Sequence, residues 1–218
     1  MKKFLKNNSL SIVFFLLFIG TIIGQVFTGW KEHNQEREDD GMPLLSLSQY
    51  ISSGHFLQAT FENWESEFLQ MALFVVLTAS LYQKGSSESK DPDKKEEVDR
   101  KPSTRRKNVP WPVRRGGMIL WIYSRSLSIV LFILFFLSII VHFHGSLQDE
   151  NEKLAHKGLP PETFSEYLGS NRFWFESFQN WQSEFLSVFA IVVLSIYFRQ
   201  LGSSQSKPVD APDEDTGS

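Results

Sequence analysis

The sequence predicts an all-α integral membrane protein: a four-helix bundle made of two tandem helical-hairpin repeats, each with a short extra helix in its outer loop. The first observation is a duplication, because residues 9–90 align with residues 126–207 without a gap and with 33 identities in 82 positions. A fixed displacement of this kind indicates a tandem repeat. The second observation is that each copy contains two apolar runs separated by polar loops. The first run of each copy approaches the roughly 20 helical residues that a bilayer requires.

The composition excludes several kinds of chemistry. The 218-residue chain contains 20 Phe and 6 Trp but no Cys. Without Cys, disulfides, thiolate nucleophiles and Cys-ligated metals are ruled out. The net charge of −3 is too small to indicate nucleic-acid binding, and no glycine-rich phosphate loop, serine elbow or zinc-protease motif occurs. We therefore expect no enzyme activity and no cofactor.

The predicted first repeat covers residues 1–90, with spans at about 9–28 and 63–82 and an outer loop at 31–60. Its first apolar run, Ser9–Phe27, carries no charge and follows a lysine-rich arm. A cleaved signal peptide is an alternative interpretation of that pattern. The second copy, Ser126–His144, lies in mid-chain, where a signal peptide has no role. This favours a membrane span in both copies.

Each outer loop also predicts a short helix. Ser46 is followed three residues later by Gln49, and Thr163 by Glu166. Both pairs fit a capping box, in which a hydroxyl and a longer polar side chain satisfy the free N–H groups at a helix start. Short helices are therefore expected directly after Ser46 and Thr163. Longer helices are expected to follow at about 56–83 and 173–200.

The predicted second repeat covers residues 118–207, with spans at about 121–144 and 180–199 and an outer loop at 148–178. Between the repeats, residues 91–117 form a cytoplasmic linker with both basic and acidic side chains. An acidic tail, residues 208–218, follows the second repeat. The tail and the first part of the linker contain few core-forming residues, so both are predicted to be disordered.

The end of the linker combines prolines with basic residues. Pro110 and Pro112 are expected to keep residues 109–115 out of a helix, because each proline removes a backbone N–H and restricts its predecessor. The basic side chains suit contact with anionic lipid headgroups better than nucleic acid, since the linker also carries five acids. The candidate lipid contacts are Arg105, Arg106, Lys107, Arg114 and Arg115.

The distribution of basic residues predicts the orientation. The stretch 84–117, which includes the linker, carries eleven Lys or Arg and the N-terminal arm carries three, whereas the loops 31–60 and 148–178 carry two and three. Basic residues concentrate on the cytoplasmic side of membrane proteins. Both termini and the linker are therefore expected in the cytoplasm, and both 30-residue loops outside.

A set of polar side chains falls inside the predicted spans. Glu67 and Glu184 occupy equivalent positions in the two repeats, each four residues after an Asn on the same helix face. Gln25 and His142 are also equivalent to each other. A rise of 1.5 Å per residue puts them at about the same depth in the bilayer as the two acids. A charge in the bilayer is costly and usually faces a partner or a wet cavity. The candidate intramembrane site is therefore Glu67, Glu184, Asn63, Asn180, Gln25 and His142.

Three roles remain open for this set: anchoring in the headgroup layer, a buried network that fixes packing, and a proton or cation site. Glu65 is expected to matter less than Glu67, because the second repeat has Gln182 at its position. His142 and His144 do not suggest a metal site, since residues two apart on a helix point in different directions. The other histidines are scattered over the outer loops.

Several strings in this chain resemble those of a bacterial family of uncharacterised, four-span membrane proteins with an internal duplication. These specific strings are residues 63–69, 85–93, 110–117 and 173–186. The resemblance covers nearly the whole chain. The family is a domain of unknown function. The resemblance implies a location in the bacterial inner membrane and supplies no activity, substrate or site.

These observations favour a non-enzymatic structural or accessory component of the membrane. Its expected partners are the lipid bilayer, including anionic lipids, and either a second copy of the chain or another membrane protein. The alternative is a small proton- or cation-linked transporter or channel that uses Glu67 and Glu184. A water-accessible cavity at Glu67 would favour transport, and a dry, aromatic-packed site there would favour the structural role.

Overall fold

The computed structural model describes residues 2–217, so Met1 and Ser218 lie outside the described part of the first repeat and of the tail. The regular structure of residues 2–217 is all helical, as predicted, and contains no strand. A single 3₁₀ turn, Glu97–Asp99, lies in the linker. The α-helices are α1 (Lys2–Asn7), α2 (Ser9–Asp39), α3 (Leu47–Ile51), α4 (Gly54–Leu77), α5 (Trp111–Arg115), α6 (Gly117–Tyr123), α7 (Ser126–His156), α8 (Phe164–Leu168) and α9 (Asn171–Tyr197).

Helices α2 and α7 are the two longest, with 31 residues each, and they begin at equivalent positions of the sequence repeat. Both are long and apolar enough to cross a membrane. Two residues after the end of each helix lies a glycine with a positive φ angle, Gly41 at 71° and Gly158 at 67°. The following N–H groups bond back to the carbonyls of Arg37 and Leu154, which completes a Schellman motif. At about 46 Å each helix is longer than the ~30 Å apolar layer of a bilayer.

The polar connections after α2 and α7 are fixed by the same bonds. The Asn34 side chain both donates to and accepts from the backbone of Leu45. Asn151 makes the same pair of bonds with Glu162. Both predicted capping boxes are confirmed, and the short helices α3 and α8 follow them. One asparagine and one capping box therefore set the path of each outer connection.

Helices α4 and α9 are shorter than predicted at their C-terminal ends. They end at Leu77 and Tyr197, so the predictions to residues 83 and 200 are wrong by six and three residues. Beyond each end a serine hydroxyl, from Ser89 or Ser206, accepts the N–H of the glutamine six residues earlier. Such side-chain bonds compete with helical ones and help to end a helix.

The region before α7 corrects a second prediction. Residues 111–115 form α5 despite the two prolines. Pro110 is the residue before the helix and Pro112 lies in the first turn, where N–H groups have no helical partner to lose. The predicted span at about 121–144 is also not one continuous helix, because α6 ends at Tyr123 and α7 begins at Ser126.

The chain divides into two compact units. The first combines Met1–Phe61 with Ile140–Phe173, and the second combines Glu62–Ile139 with Trp174–Ser218. The core of the first unit is aromatic and includes Tyr50 and Tyr167, both 1% exposed. Within that unit the C-terminal part of α2 meets that of α7, where the Arg37 guanidinium donates to the Glu152 carboxylate at 2.5 Å.

In the second unit the tail lies against the residues that follow α4. Lys207 is buried and donates to the carbonyls of Pro212, Asp213 and Asp215. The N–H of Gly217 bonds to the carbonyl of Ser86. Disorder of the linker and of the tail stays a prediction.

Candidate functional site

The equivalent pair Gln25 and His142 lies in the first unit. The Gln25 amide donates to the Thr60 hydroxyl at 3.2 Å. His142 is completely buried, and its ring tilts against Phe173 with 5.2 Å between ring centroids. Both predicted polar residues therefore contact helices that follow the short outer helices, α4 and α9.

The predicted asparagines bond within their own helices. The Asn63 carbonyl accepts the Ser66 hydroxyl, and the Asn180 carbonyl accepts the Ser183 hydroxyl. The Asn180 amide also donates to the Glu176 carbonyl. These are local contacts one turn apart along α4 and α9.

The two predicted acids, Glu67 and Glu184, are less buried than Glu65, a neighbouring acid of α4. Glu67 is exposed and Glu184 is half-buried. The two carboxylates are close enough for their charges to interact. The fully buried acid of α4 is Glu65, which is 0% exposed and accepts a bond from the Trp181 indole at 3.1 Å. The sequence reasoning gave Glu65 the lesser role because the repeat replaces it.

The surroundings of Glu65 are aromatic. The Trp181 ring packs edge to face against two phenylalanines. The distance between ring centroids is 6.3 Å to Phe135 and 5.5 Å to Phe178. Phe135 is buried and lies at the middle of the apolar run of α7. The Glu65–Trp181 bond therefore lies beside the centre of a helix that is apolar enough to cross a membrane.

The five candidate lipid contacts are all exposed. Arg106 donates to Glu97 at 3.2 Å. Arg114 and Arg115 occupy the last turn of α5, where a positive charge is favourable next to the helix C-terminus. These side chains are accessible to an anionic surface, and none of them is held in a buried ion pair.

A cluster that the sequence reasoning missed lies in the first unit, near the C-terminal end of α2. It consists of His33, Glu36 and His55, whose ligand atoms all lie within 4.8 Å of one another. His33 is 4% exposed, and its ring stacks on His55 with a centroid distance of 4.2 Å. His33 Nδ1 is 3.6 Å from the Glu36 carboxylate. We name these three residues the histidine cluster.

The charges around this cluster are mainly negative. Burial, together with the nearby charges of Glu32 and Glu36, raises the pKa of Tyr50, whose ring packs beside His33. Burial and the neighbouring His33 lower the pKa of His55. Burial therefore favours the neutral form of the His55 ring.

The equivalent positions of the second repeat carry an ion-pair network instead. Arg172 donates to the carboxylates of Asp149 and Glu150, and Lys153 donates to Asp149 at 2.8 Å. Burial disfavours the charge of Asp149, but the bonds from Lys153 and Arg172 outweigh it and lower its pKa. In the sequence alignment Glu150, Lys153 and Arg172 correspond to His33, Glu36 and His55. Comparing the repeats at these positions could have found the cluster.

Comparison with known proteins gives a family and no function. The model of a family described as "Domain of unknown function (DUF6766)" matches residues 1–218. The chain therefore belongs to this family. No curated protein and no solved structure matches it significantly.

Proposed function

We propose that this member of the family is an integral protein of the bacterial inner membrane with a non-enzymatic structural or accessory role. The observation that carries the proposal is the Glu65–Trp181 bond. The acid is fully buried, has a hydrogen-bond donor and is packed among aromatic rings. A carboxylate that conducts ions needs access to water, whereas one that fixes packing needs a donor and exclusion of solvent.

The membrane part of the proposal is a four-span bundle. Helices α2 and α7 have the length and apolarity for it. Helix α9 contributes residues 180–197, about 27 Å long, and α4 contributes residues 63–77, about 22 Å. The short α4 requires local thinning of the bilayer, at a modest cost. Glu65 is buried and paired, so this acid of α4 does not have to face lipid.

In this arrangement the termini and the linker face the cytoplasm. The exposed basic side chains at 105–107 and 114–115 then lie on the side where anionic lipids are abundant. The apolar face of α2, which is exposed along Phe14–Leu17, contacts lipid, a second copy or another membrane protein.

Cysteine labelling tests the topology, because the described chain has no native Cys. Asp39, Lys157 and Lys95 are all exposed in the structure, so each accepts a single Cys. A membrane-impermeant thiol reagent on intact cells should label Asp39→Cys and Lys157→Cys but leave Lys95→Cys unlabelled. Labelling of position 95 without cell lysis would contradict the orientation.

The structural role predicts which acid matters. Glu65→Ala leaves the N–H of the half-buried Trp181 without its acceptor, at a cost of about 1–3 kcal/mol. In detergent this should lower the unfolding temperature by roughly 2–12 °C. Glu65→Gln keeps an acceptor and should cost less, and the exposed Glu67→Ala serves as the matched control. Equal stability of Glu65→Ala and Glu67→Ala would remove the support for the structural role.

A transport role is the second candidate, because the equivalent acids Glu67 and Glu184 are near enough to interact. Proton flux into liposomes decides between the two. The structural proposal expects no flux above empty liposomes for the parent protein. Flux that Glu67→Gln and Glu184→Gln abolish would instead establish transport.

A further inference from the structure

The histidine cluster contains buried polar atoms whose bonding is incomplete. Among the residues that the structure describes, both ring nitrogens of His33 and Nδ1 of His55 are buried without a hydrogen-bond partner. Leaving a buried polar group unpaired costs about 1–3 kcal/mol. The two stacked rings therefore carry three buried nitrogens without a hydrogen-bond partner.

The spacing of the cluster suits a shared ion better than a direct bond. The 3.6 Å between His33 Nδ1 and the Glu36 carboxylate is too long for a good hydrogen bond. Two ligands on one tetrahedral zinc ion, each about 2.0–2.1 Å from it, are about 3.4 Å apart. His33 and Glu36 are three residues apart on α2 and so share one helix face. His55 approaches them from the first turn of α4.

The second repeat indicates the charge that this position accepts. There the guanidinium of Arg172 supplies a cation to Asp149 and Glu150, and Lys153 supplies another to Asp149. The aligned residues of the first repeat are Glu32, His33, Glu36 and His55, and no Lys or Arg occurs among them. The positions that carry cationic side chains in the second repeat therefore carry only acids and imidazoles in the first.

We propose that the histidine cluster binds a divalent transition metal ion, with zinc as the best fit. His33 and His55 each supply an imidazole nitrogen and Glu36 supplies a carboxylate oxygen. This set of two imidazoles and one carboxylate is a zinc ligand set that leaves one position to water. The ion takes the place that Arg172 occupies in the second repeat. It ties the outer end of α2 to the start of α4.

The test uses the full-length protein in mild detergent, stripped with EDTA and dialysed against zinc chloride. Metal analysis should find one zinc per chain for the parent. Glu36→Gln and His55→Gln should each weaken binding at least about tenfold, since even residues behind a metal ligand cost 10–100-fold when changed. His144→Gln is the control, because His144 is exposed on α7 and lies outside the cluster. It should bind zinc as the parent does.

A triple variant guards against loss of folding. H33E/E36K/H55R installs the residues of the second repeat, which the same frame already accommodates. It should fold without metal, bind no zinc and show no rise in unfolding temperature on zinc addition, whereas the parent should show a rise. Cobalt should give the visible bands of a tetrahedral ion in the parent and lose them in the triple variant. Absence of zinc from the parent, or equal binding by the parent and the triple variant, would overturn the proposal.

Discussion

Helices α4 and α7 contact each other through two glycines, and filling either one should destabilise the protein. A Cβ atom on Gly145 would lie 2.6 Å from the Gln58 amide nitrogen, 2.7 Å from Leu57 Cβ and 2.9 Å from the Gly54 carbonyl oxygen. A Cβ on Gly54 would lie 2.5 Å from the Asp149 nitrogen and 2.5 Å from the Gly145 oxygen. Most of these are backbone atoms, which cannot turn away as a side chain can. The helices would have to move apart.

The magnitude follows from two opposing effects. Overpacking in a close contact costs about 1–3 kcal/mol. Alanine in place of a helical glycine returns about 0.5–1 kcal/mol through backbone entropy. Gly145→Ala should therefore lose up to roughly 2.5 kcal/mol, which lowers the unfolding temperature of a chain of this length by up to roughly 10 °C.

Gly20→Ala is the matched control. Gly20 is also helical, and nothing lies within 4 Å of its added Cβ. Thermal unfolding of the detergent-purified variants, followed by tryptophan fluorescence, should show a rise for Gly20→Ala and a fall for Gly145→Ala. A rise of similar size in both variants would mean that the two helices do not approach at this point.

Two more predictions concern the outer connections. Asn151→Ala removes both bonds to the Glu162 backbone and should lower the free energy of unfolding by about 1–3 kcal/mol. Asn34→Ala should cause a similar loss. Unequal shifts in unfolding temperature would argue against a shared role. For Asp149, whose pKa is lowered from 3.8, the carboxylate contributes stability at any pH above its usual pKa and loses it as the pH falls through its lowered pKa. Unfolding temperatures between pH 7 and pH 3 should therefore fall below about pH 4 in the parent and fall less in Asp149→Asn, and parallel curves would refute the assignment.

Local signals in the sequence predicted the helical elements well. The capping boxes at Ser46 and Thr163 depend on bonds between residues three apart, so the sequence contains the whole interaction. The helix ends at Leu77 and Tyr197 were missed because the groups that compete for backbone N–H bonds come from serines beyond the helices. The short helix α5 was missed because the effect of a proline depends on its position relative to the helix start.

The candidate site was harder to predict, because burial depends on which face of α4 meets other helices. Glu65 and Glu67 lie two residues apart and therefore on different faces. The sequence favoured Glu67, since it recurs at Glu184, yet Trp181 pairs with Glu65. The histidine cluster escaped for a related reason: His33 and His55 are 22 residues apart. Only the turn through α3 brings their rings together.

The two repeats agree in the bonds that shape the backbone and differ in the side chains that this backbone displays. Asn34 and Asn151 make identical pairs of bonds. The aligned residues Gly29 and Ser146, in contrast, contact the equivalent tyrosines in different ways. Gly29 leaves room for the Tyr50 ring, and the Ser146 hydroxyl bonds to the Tyr167 hydroxyl at 2.5 Å. Because the backbone is duplicated, one repeat can keep a network of paired charges while the side chains at the same positions of the other repeat change. An activity specific to one repeat is therefore best sought where the backbone bonds are shared and the charges differ, at the C-terminal ends of α2 and α7.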